Sequence, residues 1–75
     1  MVMVNVEPGK KVRVAKIASG HQRIRKLYDL GIIPGAEVEV VSRHPFRGPV
    51  VLKVGNATVA LGRNIAGEIE VTEII

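Results

Sequence analysis

Few side chains in this 75-residue sequence could carry out chemistry. The chain has no cysteine, and its two histidines, His21 and His44, lie far apart in the sequence. Iron and zinc sites usually need three or four histidine, cysteine or carboxylate ligands. The two histidines are therefore weak candidates for metal ligands, and a metal site formed between two chains is left open. We expect no resident metal and no cofactor.

Catalytic groups are also scarce. A nucleophilic serine needs a neighbouring base and a group that orients that base. The serines are Ser19, which fits a helix cap, and Ser42, which lies at the end of a predicted strand. The chain also lacks a G-x-x-x-x-G-K-[ST] loop, so nucleotide hydrolysis is unsupported. The sequence therefore predicts a protein that is not an enzyme.

Positive charge is concentrated at the start of the chain. The formal net charge is +4. Residues 1–26 contain seven Lys or Arg and one Glu, whereas residues 27–75 contain four Lys or Arg and six Asp or Glu. A basic surface favours an acidic partner, which can be a nucleic acid, an anionic membrane or an acidic protein face. Ordinary solubility is the alternative interpretation of the same charge.

RNA binding by a small barrel requires aromatic side chains on which bases stack, beside the cations. The sequence has two aromatic residues, Tyr28 and Phe46. Tyr28 falls on the apolar stripe of a predicted helix, which should be buried. We therefore expect no nucleic-acid partner, and a small RNA-binding barrel stays an alternative.

Five residues are candidates for a protein-binding surface. They are Arg23, Arg25 and Lys26 on the predicted helix, with Phe46 and Arg47 in a proline-containing loop. Aromatic and arginine side chains dominate binding hot spots, and charges at the rim steer association. Two alternatives remain: the cations form an ordinary solvated helix face, and Phe46 folds back over an open end of the domain.

Alternating apolar and polar residues predict five short strands. Lys11–Ile17 alternates in this way after Pro8-Gly9, and a second strand follows Pro34-Gly35. Both Pro-Gly pairs fit a type II turn, with proline at the second position and glycine at the third. A Gly-Asn pair then indicates a hairpin between the third and fourth strands. The last three predicted strands are Val50–Val54, Ala57–Leu61 and residues 68–74.

One amphipathic helix is predicted between the first two strands. Ser19 with Gln22 three residues later fits a capping box, and Gly31 fits the left-handed residue that ends a helix. The apolar stripe consists of Ile24, Leu27 and Tyr28. A helix of about ten residues is not stable alone, so it must pack on the strands.

These elements predict one domain, residues 1–75, of mainly β class. The predicted architecture is a small five-stranded barrel, closed or nearly closed, with one short α-helix inserted after the first strand. A short helical turn over residues 62–66 precedes the last strand. No apolar run reaches the roughly 18 residues of a membrane span, and the first residues lack a signal-peptide pattern. We therefore expect a cytoplasmic protein.

Several stretches, taken in order, resemble the FeoA family. Residues 25–35 resemble its basic helix followed by L-x-x-L-G-[apolar]-x-P-G, and residues 48–50 resemble its step into the third strand. Residues 60–66 resemble the turn before its last strand. The resemblance extends over residues 8–71 and implies an SH3-like barrel. The same barrel occurs as the C-terminal domain of repressors resembling the diphtheria-toxin-repressor group, so a metal-responsive regulatory domain is a further alternative.

The matching stretch around the helix also has a structural interpretation. We expect Leu27 and Leu30 to anchor the helix, Gly31 to let the chain reverse, and Pro34-Gly35 to aim the next strand. These five residues form the structural motif of the predicted fold.

The resemblance also implies a function. FeoA proteins are small partners of the membrane ferrous-iron transporter FeoB, so it implies an accessory protein of ferrous iron uptake that binds the cytoplasmic side of FeoB and modulates it. Such a protein is peripheral to the membrane only through the transporter. A homo-oligomer is left open.

Overall fold

The computed structural model describes residues 1–44 and 48–74. The chain begins with a 3-10 turn, Met3–Asn5, and then forms strand β1, Lys11–Ile17, and helix α1, His21–Asp29. The remaining elements, in order, are β2 (Glu37–Arg43), β3 (Val50–Val54), β4 (Ala57–Leu61), α2 (Arg63–Ala66) and β5 (Ile69–Glu73). The five predicted strands, the helix after the first strand and the short turn before the last strand are confirmed.

The five strands form one antiparallel sheet in the order β4-β3-β2-β1-β5. β1 lies beside both β2 and β5, with Val12 opposite Val38 and Val14 opposite Val71. Register shifts interrupt the ladders near the middle of β1 and β2. Such irregularities increase strand twist and help a small sheet to curl into a barrel. β4 and β5 are the two outer strands, and α2 connects them.

The two Pro-Gly turns make equivalent contacts with the strands opposite them. Gly9 and Gly35 both have φ of +92°, as the predicted type II turns require. The Gly9 N–H donates to the Val40 carbonyl at 2.7 Å, and the Gly35 N–H donates to the Val14 carbonyl at 2.7 Å. Each turn therefore fixes the start of one strand against the middle of the other.

Helix α1 begins differently from the sequence prediction. Its N-cap is Gly20, and no side chain caps it. The predicted capping box of Ser19 is therefore wrong. The Ser19 hydroxyl lies 3.3 Å from a carboxylate oxygen of Glu68, to which it donates, because the helix starts one residue later than predicted and leaves Ser19 outside the cap position.

The end of α1 is a Schellman motif, with Gly31 as its left-handed residue at φ +87°. The Gly31 N–H donates to the Tyr28 carbonyl at 2.9 Å, and the Ile32 N–H donates to the Leu27 carbonyl at 2.8 Å. Leu27 and Ile32 are both buried, as the motif favours. The prediction that Leu27 anchors the helix is confirmed.

Two predictions about this helix end are wrong. The side chain of Leu30 is 45% exposed, so Leu30 does not anchor the helix. Tyr28 is 48% exposed, so it does not lie on a buried stripe. The reason is that Ile32, two residues beyond the C-cap, fills the core position beside Leu27, and the short helix buries only a narrow face.

The core is entirely apolar among the described residues. Met3, the first residue of the N-terminal 3-10 turn, and Val6, its C-cap, are fully buried and belong to the core cluster, which includes residues of every strand. No sequence pattern predicted this turn. The other buried residues are Val12, Val14, Leu27, Ile32, Val38, Val40, Val50, Leu52, Val59, Leu61, Ala66, Ile69 and Val71. No helix in residues 1–44 or 48–74 is long and apolar enough to cross a membrane.

Candidate functional site

The outer face of helix α1 is the candidate binding surface, and we call it the α1 face. It consists of His21, Ile24, Arg25 and Tyr28, which fall on one side of the helix because they are spaced by three or four residues. Together with Gln22 they line a shallow groove of about 410 Å³. Ile24 is half-buried and Tyr28 is half-exposed, so an apolar strip lies between polar side chains.

The three predicted helix cations do not act as one group. A guanidinium nitrogen of Arg23 lies 2.9 Å from a carboxylate oxygen of Glu68, and both side chains are partly exposed. This ion pair ties the start of α1 to the segment before β5. Arg25 and Lys26 are exposed and form no ion pair with any residue that the structure describes. They are therefore the two helix cations available to a partner.

The other predicted partner-binding residues cannot be placed on this surface. Phe46 and Arg47 lie outside the described residues. Phe46 as the anchor, with Arg47 as a cation beside it, stays a prediction. The apolar contact that the sequence assigned to Phe46 is available on α1 itself, from Tyr28.

The two histidines lie on different elements. His21 is the first residue of α1 and His44 follows β2, and both are exposed. Within residues 1–44 and 48–74, no group of three or more His, Cys, Asp or Glu side chains could hold a metal ion. No polar or charged side chain is buried in that part of the chain either.

Charges on the outer face of the sheet compensate one another. A guanidinium nitrogen of Arg13 on β1 lies 2.7 Å from a carboxylate oxygen of Glu37 on β2. Glu39 on β2 stands opposite Lys11 on β1 and Lys53 on β3. Opposite charges on neighbouring strands stabilise the pairing of those strands. This face is therefore less suited than α1 to attract an acidic partner.

The fold defines the class of protein to which the chain belongs: a small SH3-like barrel with a helix after its first strand. The family model for the FeoA domain matches residues 1–73, so the chain belongs to the FeoA family. A role in ferrous iron transport follows from this membership. The fold predicted from the sequence resemblance is confirmed.

Relatives support the same assignment. A Methanocaldococcus jannaschii protein whose assigned name is Fe(2+) transport protein A is 31% identical over 65 residues, which span 87% of this chain and 77% of that protein. A crystal structure described as iron uptake regulatory protein (FeoA) is 34% identical, with a TM-score of 0.91, and the match covers 99% of this chain and 97% of the other. The iron(II) transport protein A of Clostridium thermocellum is 31% identical, with a TM-score of 0.91, and the match covers 99% of this chain and 46% of the other.

The barrel also matches one part of larger regulators. A manganese-dependent transcriptional repressor is 27% identical, with a TM-score of 0.89, and this chain covers 41% of it. The IdeR protein of T. acidophilum is 21% identical, with a TM-score of 0.87, and this chain covers 34% of it. The second likeness shows a shared fold only.

Proposed function

We propose that this protein is a non-enzymatic accessory protein that binds the cytoplasmic side of a FeoB-type ferrous iron transporter and modulates it. Membership of the FeoA family supports the transport role. The absence of a ligand set and of buried polar side chains among the described residues favours binding to a protein over binding of iron by this chain. Such a protein would work in the cytoplasm and reach the membrane through the transporter alone.

The observation that carries the proposal is the α1 face. It combines an exposed aromatic side chain, Tyr28, with the exposed cation Arg25, and Lys26, the next residue of the helix, adds a second exposed cation beside this face. Aromatic and arginine side chains dominate binding hot spots, and exposed cations attract an acidic surface. We therefore expect Tyr28 to act as the anchor and the two cations to steer docking.

The test is binding of the purified cytoplasmic region of the FeoB-type transporter from the same source. Two variants are compared with the parent chain: Tyr28→Ala, and the double charge reversal Arg25→Glu with Lys26→Glu. Because anchors act mainly on dissociation and rim charges mainly on association, we expect Tyr28→Ala to raise the dissociation rate. The double reversal should lower the association rate and weaken its dependence on salt.

The matched control is Lys11→Glu with Lys16→Glu, which changes the net charge equally on exposed positions of β1. It should bind nearly as well as the parent chain. Circular dichroism must first show that every variant is folded. If both α1 variants bind like the parent, the α1 face is not the docking surface, and Phe46→Ala becomes the next variant to measure.

RNA binding is the second candidate function, because Tyr28 is exposed instead of buried. Base stacking on an aromatic ring beside arginine is a common way to hold a single strand. Tyr28 beside Arg25 supplies one such platform, which is fewer than an RNA-binding barrel usually presents. Binding of single-stranded RNA that weakens steeply with salt and is lost in Tyr28→Ala would favour this function over the first.

A further inference from the structure

The outward edge of strand β4 is open. In an antiparallel ladder, alternate residues direct their backbone groups towards the neighbouring strand, and the others direct them away. Val54 and Ala57 close the two-residue hairpin as a bonded pair, so Thr58 and Ala60 point their N–H and C=O groups away from β3. Both residues are exposed, and no backbone hydrogen bond joins either to another described residue outside the ladder. The edge therefore presents four backbone hydrogen-bonding groups.

This edge also lacks the features that normally discourage strand addition. Proteins protect their edges with charges, prolines or bulges. Residues 54–62 contain no charged residue and no proline, and β4 pairs with β3 without a register shift. A regular, uncharged edge of this kind can accept another extended chain.

Cations stand at both ends of the edge. Lys53 on β3 lies between Thr58 on β4 and Glu39 on β2, and Arg63 begins α2 after Gly62, which follows β4; Lys53 and Arg63 are both exposed. A second copy paired antiparallel about Val59 would place its Arg63 opposite Gly55 of the first copy, at the same end of the edge as Lys53, so each end would gather cations from both copies. A segment with carboxylates at its ends would instead be attracted at both ends. Charge therefore favours a foreign acidic segment over a second copy.

We propose that β4 binds an extended segment of a partner protein as a sixth strand of the sheet. This segment is uncharged over the length of β4 and has carboxylates at both ends. Main-chain hydrogen bonds with Thr58 and Ala60 provide the binding, and Lys53 and Arg63 select the acidic ends. This surface is separate from the α1 face. It can therefore be tested without the transporter.

The probe is a synthetic peptide with the sequence Glu-Glu-Val-Thr-Val-Thr-Val-Glu-Glu, added to the whole chain. The measurement is amide hydrogen exchange by NMR. With saturating peptide, exchange at Thr58 and Ala60 should slow by roughly tenfold or more, because their N–H groups become hydrogen-bonded. Val59 should change little, since its N–H already faces β3.

Three variants separate the backbone contribution from the charge contribution. Ala60→Pro removes an outward N–H without removing a ladder bond and should abolish binding, whereas Thr58→Val keeps the backbone groups and should bind like the parent. A peptide with lysine in place of the four glutamates should bind at least about tenfold more weakly than the original peptide. The double variant Lys53→Glu with Arg63→Glu should reverse that preference.

Three results would overturn the proposal. The first is unchanged exchange at Thr58 and Ala60 with saturating peptide, and the second is equal binding of both peptides. The third is dimerisation of the chain in sedimentation with the same two amides protected, which would make a second copy the occupant. If Ala60→Pro does not fold, the exchange measurement on the parent and the charge reversal decide the question.

Discussion

The two outer strands of the sheet are alike in length but differ in what covers them. The outward N–H of Val71 on β5 donates to the Met1 carbonyl at 2.8 Å, and Val2 forms a bridge with Glu70. Met3 then buries its side chain in the core. On β4, nothing described covers Thr58 or Ala60. The chain thus uses its own N-terminal segment to protect one edge and leaves the other able to bind.

The largest expected effect is on hydrogen exchange at the two edges. In the protein alone, the Val71 amide should exchange at least about a hundredfold more slowly than the amides of Thr58 and Ala60, because it is bonded and they are not. NMR exchange at several pH values measures this difference. Similar rates at the three amides would show that the N-terminal segment does not protect β5.

A second prediction concerns the side chain that holds the N-terminal segment in place. Met3→Ala should lower the free energy of unfolding by about 2–5 kcal/mol, since it empties a fully buried position. It should also speed exchange at Val71 more than at the β4 amides. Urea denaturation measures the stability change. Met1→Ala, at a position whose side chain is 56% exposed, is the control and should change stability by less than about 0.5 kcal/mol.

Helix α1 supplies the third prediction, because it connects the two sides of the sheet. At the start of the helix, Arg23 pairs with Glu68 in the segment before β5. Just beyond its end, Gly31 lies close to β3, since a Cβ added at Gly31 would be 3.2 Å from the Val54 side chain. Leu27→Ala should cost about 2–4 kcal/mol, because Leu27 is buried in the core. Leu30→Ala should cost less than about 1 kcal/mol. Equal urea midpoints for the two variants would contradict the placement of this helix.

The smallest effect is expected for the ion pair on the β5 side. Arg23→Ala should cost about 0.2–1 kcal/mol, because both partners are partly exposed to solvent. The cost should shrink as salt is raised, since salt screens exposed charges. Thermal denaturation at low and high ionic strength measures both the loss of stability and its dependence on salt. Lys26→Ala, which removes an unpaired helix cation, should show no such dependence on salt.

The sequence by itself determined the five strands, the helix after the first strand and the short turn before the last strand. Gly9, Gly31 and Gly35 adopt the positive φ values that their positions next to proline or at a helix end predict. Alternation placed the strands, because every second side chain of a strand faces the core. These signals are local, since steric limits on the backbone act within a few residues. The ordered motifs were also sufficient to indicate the FeoA family.

Only the tertiary structure decided which side chains are exposed and which edge is open. Leu30 and Tyr28 are apolar or aromatic by type, but Ile32 takes the core position beside Leu27. Ser19 and Arg23 both contact Glu68, more than 40 residues away in the sequence, so local capping and helix patterns did not predict their partners. The N-terminal segment covers β5 rather than β4 because Met3 and Val6 fit the core there. Residues that are distant in the sequence compete for the same space in the core and for the same partner, and packing decides between them. Sequence periodicity carries no information about that packing.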